Sequence, residues 1–290
     1  MKKQGFLIAL LILSMLVLVG CKKTLTTSTY QTESAVNKIT FEDTVCDLEI
    51  KTTDESNLYF EYNELKETYT YTITMNNQTG SLVIKRKDNR KGFYKSNFNS
   101  TPKTTIYVPE EAEVELSIKV GTGNISVDGL KSKAMNIEAT TGNISLLNIT
   151  SSEECNITAR TGNISITDSN ISSFKSDITK AGNYEIDNSS FSDKLELVGY
   201  ATKASLKGTT SNSITIEIKT GEVEFKNAEV LNILNITVTT GDIDVSLLGK
   251  RSDYTVTKKT GMGDNTVQGD GSLIVNLTTT VGDINVEYLR

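Results

Sequence analysis

A glycine returns along this chain at a nearly constant interval, and no other feature restricts its fold so tightly. The recurring stretches are "GTGNISV", "TTGNISL", "RTGNISI", "KTGEVEF", "TTGDIDV" and "TVGDINV". Their glycines fall at Gly123, Gly142, Gly162, Gly182, Gly221, Gly241, Gly261 and Gly282, with gaps of 19, 20, 20, 39, 20, 20 and 21. The doubled gap covers a degenerate unit, "YATKASL", with Thr202 at the glycine place. The result is nine units of about twenty residues. A period of that size belongs to solenoids, in which no single unit can bury its apolar face alone.

The apolar residues fall into register with the glycines. Two places after the glycine stand Ile125, Ile144, Ile164, Tyr184, Ala204, Val223, Ile243 and Ile284; four places after it stand Val127, Leu146, Ile166, Ile186, Leu206, Phe225, Val245 and Val286. Seven, five and three places before it stand triplets such as Leu116/Ile118/Val120, Ile214/Ile216/Ile218 and Leu234/Ile236/Val238. Both runs alternate with period two, which is the strand signature. Each unit is therefore a strand, a sharp corner at the glycine, a second short strand and a loop back. Ile178 has the wrong parity for this scheme, which predicts a bulge in its unit. At "KTGMGDNTV" either Gly261 or Gly263 could be the corner. The glycine serves a turn that a side chain would oppose. No helix pattern follows any of these glycines, so a phosphate-binding loop lacks its structural context.

The "TGNISV/TGDIDV" rungs, preceded by "TTIYVPEEAEVELSIKVGTGNI", resemble the bacterial DUF4097 "putative adhesin" family of β-strand repeats from about Val36 to Arg290. The resemblance implies an exported or membrane-tethered single-stranded β-helix, with no catalytic residues to carry over. It also implies the company of membrane sensors in cell-envelope stress operons for some relatives. The expected fold is all-β: a single-stranded β-solenoid with about nine regular rungs over residues 114–290, right-handed by analogy with parallel crossovers. At about 4.8 Å per strand, nine rungs span roughly 40 Å.

The first third follows the scheme more loosely. Ile39 and Phe41 precede Cys46 as they would a repeat glycine, and Leu48 and Ile50 follow it, giving one more rung with cysteine at the corner. Further strands read at 57–63, 68–75, 81–87 and 104–108, the last ended by Pro109. Residues 37–112 are thus irregular early turns of the solenoid or a small separate β cap, and 113–290 the regular repeats.

The first twenty residues have the pattern of an export signal: Lys2 and Lys3, then an apolar run from Phe6 to Val19. Leu18-Val19-Gly20-Cys21 resembles a bacterial lipobox, which implies a diacylglyceryl group on the Cys21 sulfur. Acyl burial contributes about 0.8 kcal/mol per methylene, enough for a firm anchor. Residues 21–36 read as the lipidated cysteine and a flexible Thr/Ser-rich stalk. The expected location is the cell membrane, lipid-anchored on the extracytoplasmic face.

Chemistry is sparse. The chain has no histidine and no tryptophan, which removes the commonest general base and transition-metal ligand and every histidine-dependent nucleophile system. A net charge of -6 and a pI near 5.0 give no nucleic-acid footprint. No cofactor is expected. Cys46 and Cys155 lie far apart in the repeat scheme and read as free core thiols. Carboxylate chemistry on a polysaccharide remains as a third reading.

Two outward features stand out. The stretch "KRKDNRKGFYKSNF" places Lys85, Arg86, Lys87, Arg90, Lys91 and Lys95 around Phe93, Tyr94 and Phe98. In an acidic protein this basic aromatic run suits an anionic surface or an acidic partner. The residue after the glycine reads Asn124, Asn143, Asn163, Asn183, Lys203, Glu222, Asp242, which predicts an asparagine ladder. Glu222, Glu224, Asp242 and Asp244 form an acidic patch, for a cation or a basic partner or simply a solvated face; like charges on adjacent rungs need an offset. The C-terminal strand edge is a further candidate, for strand addition. The expected function is non-catalytic binding by an adhesin-like surface module, with an unidentified protein, glycan or wall polymer as partner. The alternative is an envelope-stress regulator contacting a membrane sensor or anionic lipid.

Overall fold

The computed structural model describes residues 25–65, 68–89, 101–261 and 265–289. It is an all-β solenoid of about eight turns built from one continuous 22-stranded sheet. The chain enters through β1 (Thr26–Gln31), β2 (Lys38–Val45), β3 (Asp47–Thr53), β4 (Tyr59–Glu64), β5 (Tyr69–Asn76), β6 (Ser81–Asp88) and β7 (Lys103–Pro109). The regular turns are β8 (Glu113–Thr122), β9 (Ile125–Asp128), β10 (Lys131–Thr141), β11 (Ile144–Leu147), β12 (Thr150–Thr161), β13 (Ile164–Thr167), β14 (Asn170–Asp187), β15 (Ser190–Lys207), β16 (Thr210–Thr220), β17 (Val223–Thr240) and β18 (Ile243–Leu248). The far end holds β19 (Tyr254–Thr260), β20 (Asn265–Gln268), β21 (Leu273–Val281) and β22 (Ile284–Leu289).

Two stacks of parallel strands make the faces. On the first, β8, β10, β12, β14, β15, β16 and β17 pair in succession; on the second, β9, β11 and β13 continue into the later halves of β14 and β15 and then into β17 and β18. Alternation turns every second side chain inward, and these form one buried cluster. Large and small residues offset one another along a column: Tyr184 stands in the isoleucine column and Ala204 lies directly beside it.

The glycine corner has the expected cause. Gly123, Gly142, Gly162, Gly221, Gly241 and Gly282 all have φ between 136° and 147°. A Cβ on Gly142 would lie 1.9 Å from the Gly123 carbonyl oxygen, and one on Gly162 would lie 2.0 Å from that of Gly142. The corners stack so closely that only hydrogen fits. A second corner follows six residues later, where Gly129, Asn148, Asp168, Asn188, Gly208 and Asn227 all adopt positive φ. The bulge expected near Ile178 is present as a register shift between Ile178 and Ala181.

Cys46 occupies a corner as expected: β2 and β3 stack directly on β8 and β9. Beyond them β6 and β7 form an outer turn, covered by antiparallel β5 on one face and by β4 and β1 on the other. Residues 26–31, expected within a flexible stalk, are therefore a strand; Tyr30 packs on Phe60 at 5.2 Å. The far end departs from the repeat count. Gly282 stacks on Gly241, and β21 lies between β17 and β19, so the unit at Gly261 is no rung but half of a closing β19–β20 hairpin. Lys258 is the physical reason. It stands in the inward column beside Leu277, and a charged group there cannot be buried beneath another turn.

Candidate functional site

The basic run splits according to strand alternation. Lys85 and Lys87 point outward from β6, and Lys85 pairs with Glu42 at 2.8 Å. Arg86, expected on the surface with them, points inward with Leu82 and Ile84, and its side chain is only 3% exposed. Its Nη1 donates to Asp43 Oδ1 at 3.0 Å and to the Val45 carbonyl at 3.1 Å, and its guanidinium lies over the Tyr69 ring at 4.0 Å. Tyr71 donates its hydroxyl to the other Asp43 oxygen. Asp43 stands in the column that holds Val120 one turn later, so a paired charge ends the core here as Lys258 ends it at the far side. Removing one partner of such a pair costs about 3–5 kcal/mol. The parity of Ile39, Phe41 and Asp43, and of Leu82, Ile84 and Arg86, carried this signal in the sequence.

Arg90, Lys91, Phe93, Tyr94, Lys95 and Phe98 lie outside the described residues, as does Cys21. Beside Arg86 runs a groove of about 570 Å³ lined by Glu42, Asp43, Arg86, Lys119, Glu138 and Arg160. Its charges largely cancel, with Lys119 pairing to Glu138 at 2.9 Å.

The acidic patch has its offset within the chain. Glu222 pairs with Lys203 at 3.2 Å, Glu224 pairs with Lys226, and Asp244 accepts from Asn285 Nδ2 at 2.8 Å. The Lys226 ammonium, by hydrogen bond and charge, holds the Glu224 carboxyl below the usual range. Asp242 belongs to the ladder. Five side chains of the column accept through Oδ1 from the backbone N–H of the next turn: Asp47 from Asn124 at 2.8 Å, Asn124 from Asn143 at 3.0 Å, Asn143 from Asn163 at 2.9 Å, Asn163 from Asn183 at 3.0 Å, and Asp242 from Asp283 at 2.8 Å. Only an acceptor is needed, so aspartate replaces asparagine without a cation. Among the described residues no cluster of three or more potential ligands is placed to hold a metal ion.

The thiols are inert. Cys46 is buried, and desolvation, followed by the Asp43 charge, pushes its pKa up to about 12. Burial raises Cys155 as well. A thiol this hard to ionise is a poor nucleophile. On the second face the stacked rings of Tyr59 and Tyr107, 4.3 Å apart, lie at the same end as the basic run, with Lys51 over Tyr107. At the far end β22 pairs with β18 and presents its other edge.

These features define a parallel β-solenoid whose charges are largely satisfied by one another. The chain belongs to the Toastrack DUF4097 family, whose model matches residues 36–289. No curated protein matches it. Among solved structures it is similar to a "putative lipid binding protein" from Parabacteroides distasonis, at 17% identity over 91% of this chain and 97% of that one, with a TM-score of 0.48. A "putative adhesin" from Bacteroides fragilis matches at 12% identity over 92% and 100%, with a TM-score of 0.47. A "putative cell adhesion protein" from Clostridium sporogenes matches at 13% identity over 92% and 100%, with a TM-score of 0.34.

Proposed function

We propose that this protein is a non-catalytic, adhesin-like binding rod, held on the extracytoplasmic face of the cell membrane by lipid on Cys21. The observation that carries the reading is the placement of its chain entry. Four residues separate Cys21 from Thr26, and the five chain steps reach at most about 18 Å when extended. β1 is bonded into the outermost turn at one end of the rod, so the tether holds that end down and the remaining turns project outward. The inert thiols, the self-paired carboxylates and the lack of histidine support binding over catalysis. The partner is a protein, glycan or wall polymer met by the projecting faces.

A second reading rests on the same end. Lys85 and Lys87 on one face, and Tyr59 and Tyr107 on the other, lie at the end where the tether enters, suiting contact with anionic headgroups or an adjoining membrane sensor. Each basic residue near such a surface contributes about 1 kcal/mol. Fractionation tests the anchor: the chain is expected in the membrane fraction and Cys21→Ala in the medium, and release of both would refute it. Flotation with phosphatidylglycerol vesicles tests the second reading, which requires that Lys85→Glu/Lys87→Glu lower the bound fraction.

A further inference from the structure

Among the glycine-corner turns, those carrying Gly182 and Thr202 depart from the common corner geometry. There β14 and β15 run eighteen residues each straight through the corner, and neither corner residue has positive φ. Gly199 occupies the inward column that holds Ile178 on one side and Ile218 on the other. A Cβ on Gly199 would lie 2.5 Å from Thr202 Oγ1. Thr202 has therefore turned inward, 3% exposed, to fill the space that Gly199 leaves, and among the described residues its hydroxyl has no hydrogen-bond partner. Two positions have exchanged sizes at a cost in polar burial.

Above this exchange lies a groove of about 490 Å³, within the roughly 300–1,000 Å³ range of small-molecule sites. Gly199 forms its floor. Tyr200 and Val198 stand on it at 51% and 37% exposure, an aromatic and an aliphatic side chain beside each other at the groove. Lys219 lies over the Tyr200 ring at 4.6 Å. Asp177 and Glu217 flank Val198 on the neighbouring strands. Elsewhere on this face Glu42 pairs with Lys85, Glu138 with Lys119 and Glu196 with Lys175. Among the described residues Asp177 and Glu217 have no ion-pair partner.

We propose that the Tyr200 groove is a carbohydrate-binding subsite for neutral hexose or N-acetylhexosamine units. A pyranose presents an apolar C–H face, suited to Tyr200 and Val198, and a rim of hydroxyls that need acceptors. Asp177 and Glu217 supply strong acceptors, and Thr179, Thr237 and Thr239 supply hydroxyls that both give and take. Two carboxylates against one ammonium disfavour uronic acids and polyphosphates. The proposal rests on the binding-module reading and gives that module a recognition site.

The test uses the full chain in detergent and saturation-transfer NMR with maltohexaose, chitohexaose and hexagalacturonate. One or both neutral probes are expected to bind at millimolar concentration and the uronate not. Tyr200→Ala should weaken binding about tenfold, while Tyr200→Phe stays near wild type and both melt as wild type does. Failure of both neutral probes, preference for the uronate, or wild-type binding by Tyr200→Ala would overturn the subsite. The recovered probe reads the broader proposal separately: a shortened oligosaccharide would refute the non-catalytic role whatever Tyr200 does.

Discussion

Replacing Gly162 by alanine puts the glycine corner to its hardest test. The residue has φ 145°, a region almost closed to side chains, where strain is about 1–3 kcal/mol. The new Cβ would stand 2.0 Å from the Gly142 carbonyl oxygen, whereas real Cβ contacts under 3.0 Å essentially never occur. The two turns must part by about 1 Å. Three hydrogen bonds cross that gap: Gly142 N–H to Thr161 O at 3.1 Å, Ile144 N–H to Asn163 O at 2.8 Å, and Asn163 N–H to Asn143 Oδ1 at 2.9 Å. At about 1 kcal/mol each, their loss and the strain sum to roughly 4–6 kcal/mol, a large part of a typical domain's 5–15 kcal/mol. Since a solenoid need not unfold in one step, the readout is urea denaturation together with native-state hydrogen exchange. The urea midpoint should fall, and the amides of Gly142 and Ile144 should lose protection. An alanine free of strain would instead stabilise by about 0.4–1 kcal/mol through the unfolded chain. An unchanged or raised midpoint would therefore refute the stacked-corner account.

Three further outcomes follow from the same geometry. Gly199→Ala should destabilise through its clash with Thr202, and adding Thr202→Gly should recover most of the loss, giving a coupling of about 0.5–3 kcal/mol in a urea-based double-mutant cycle. Asn163→Asp keeps the acceptor for Asn183 N–H and should be nearly neutral, whereas Asn163→Leu should cost about 0.5–1.5 kcal/mol in the same assay. The folded Cys46 thiol ionises near 12 against 9.0 for an ordinary one. Its raised pKa means that its contribution is full below pH 9.0 and declines as pH climbs toward about 12, by about 1.4 kcal/mol per pH unit. Cys46→Ala should flatten that alkaline decline, and Cys46 and Cys155 should resist alkylation at pH 8 until the chain is unfolded.

Much of the molecule was legible because the inward columns repeat at fixed offsets from a glycine, and stacking turns at constant spacing demands that repetition. The Cys46 turn and the Ile178 bulge could be read for the same reason. The ends were harder. Gly261 sits at the right interval, yet Lys258 three residues earlier makes its strand the last, and spacing alone does not show that β21 slips inside it. Arg86 belongs by charge to the basic run, but its phase with Leu82 and Ile84 places it inside. The second corner was present in the sequence as Gly129, Asn148, Asp168, Asn188, Gly208 and Asn227, the residue types that tolerate positive φ. The groove was the least legible feature, since it arises from the exchange of size between Gly199 and Thr202, three residues apart at a corner where strict alternation no longer tells which side chain points inward.

Photo-crosslinking in living cells, from positions 163 and 200 on the projecting faces and from position 94 in the basic run, most directly tests the claim that this is a tethered rod that binds along its length. Mass spectrometry would identify what each position captures. The account predicts glycan or foreign surface material captured from the faces, with any capture from position 94 restricted to the cell's own lipids and membrane proteins. Capture from position 94 alone, with both faces silent when foreign surfaces and polysaccharide are supplied, would contradict it and leave the basic end as the working part of the molecule.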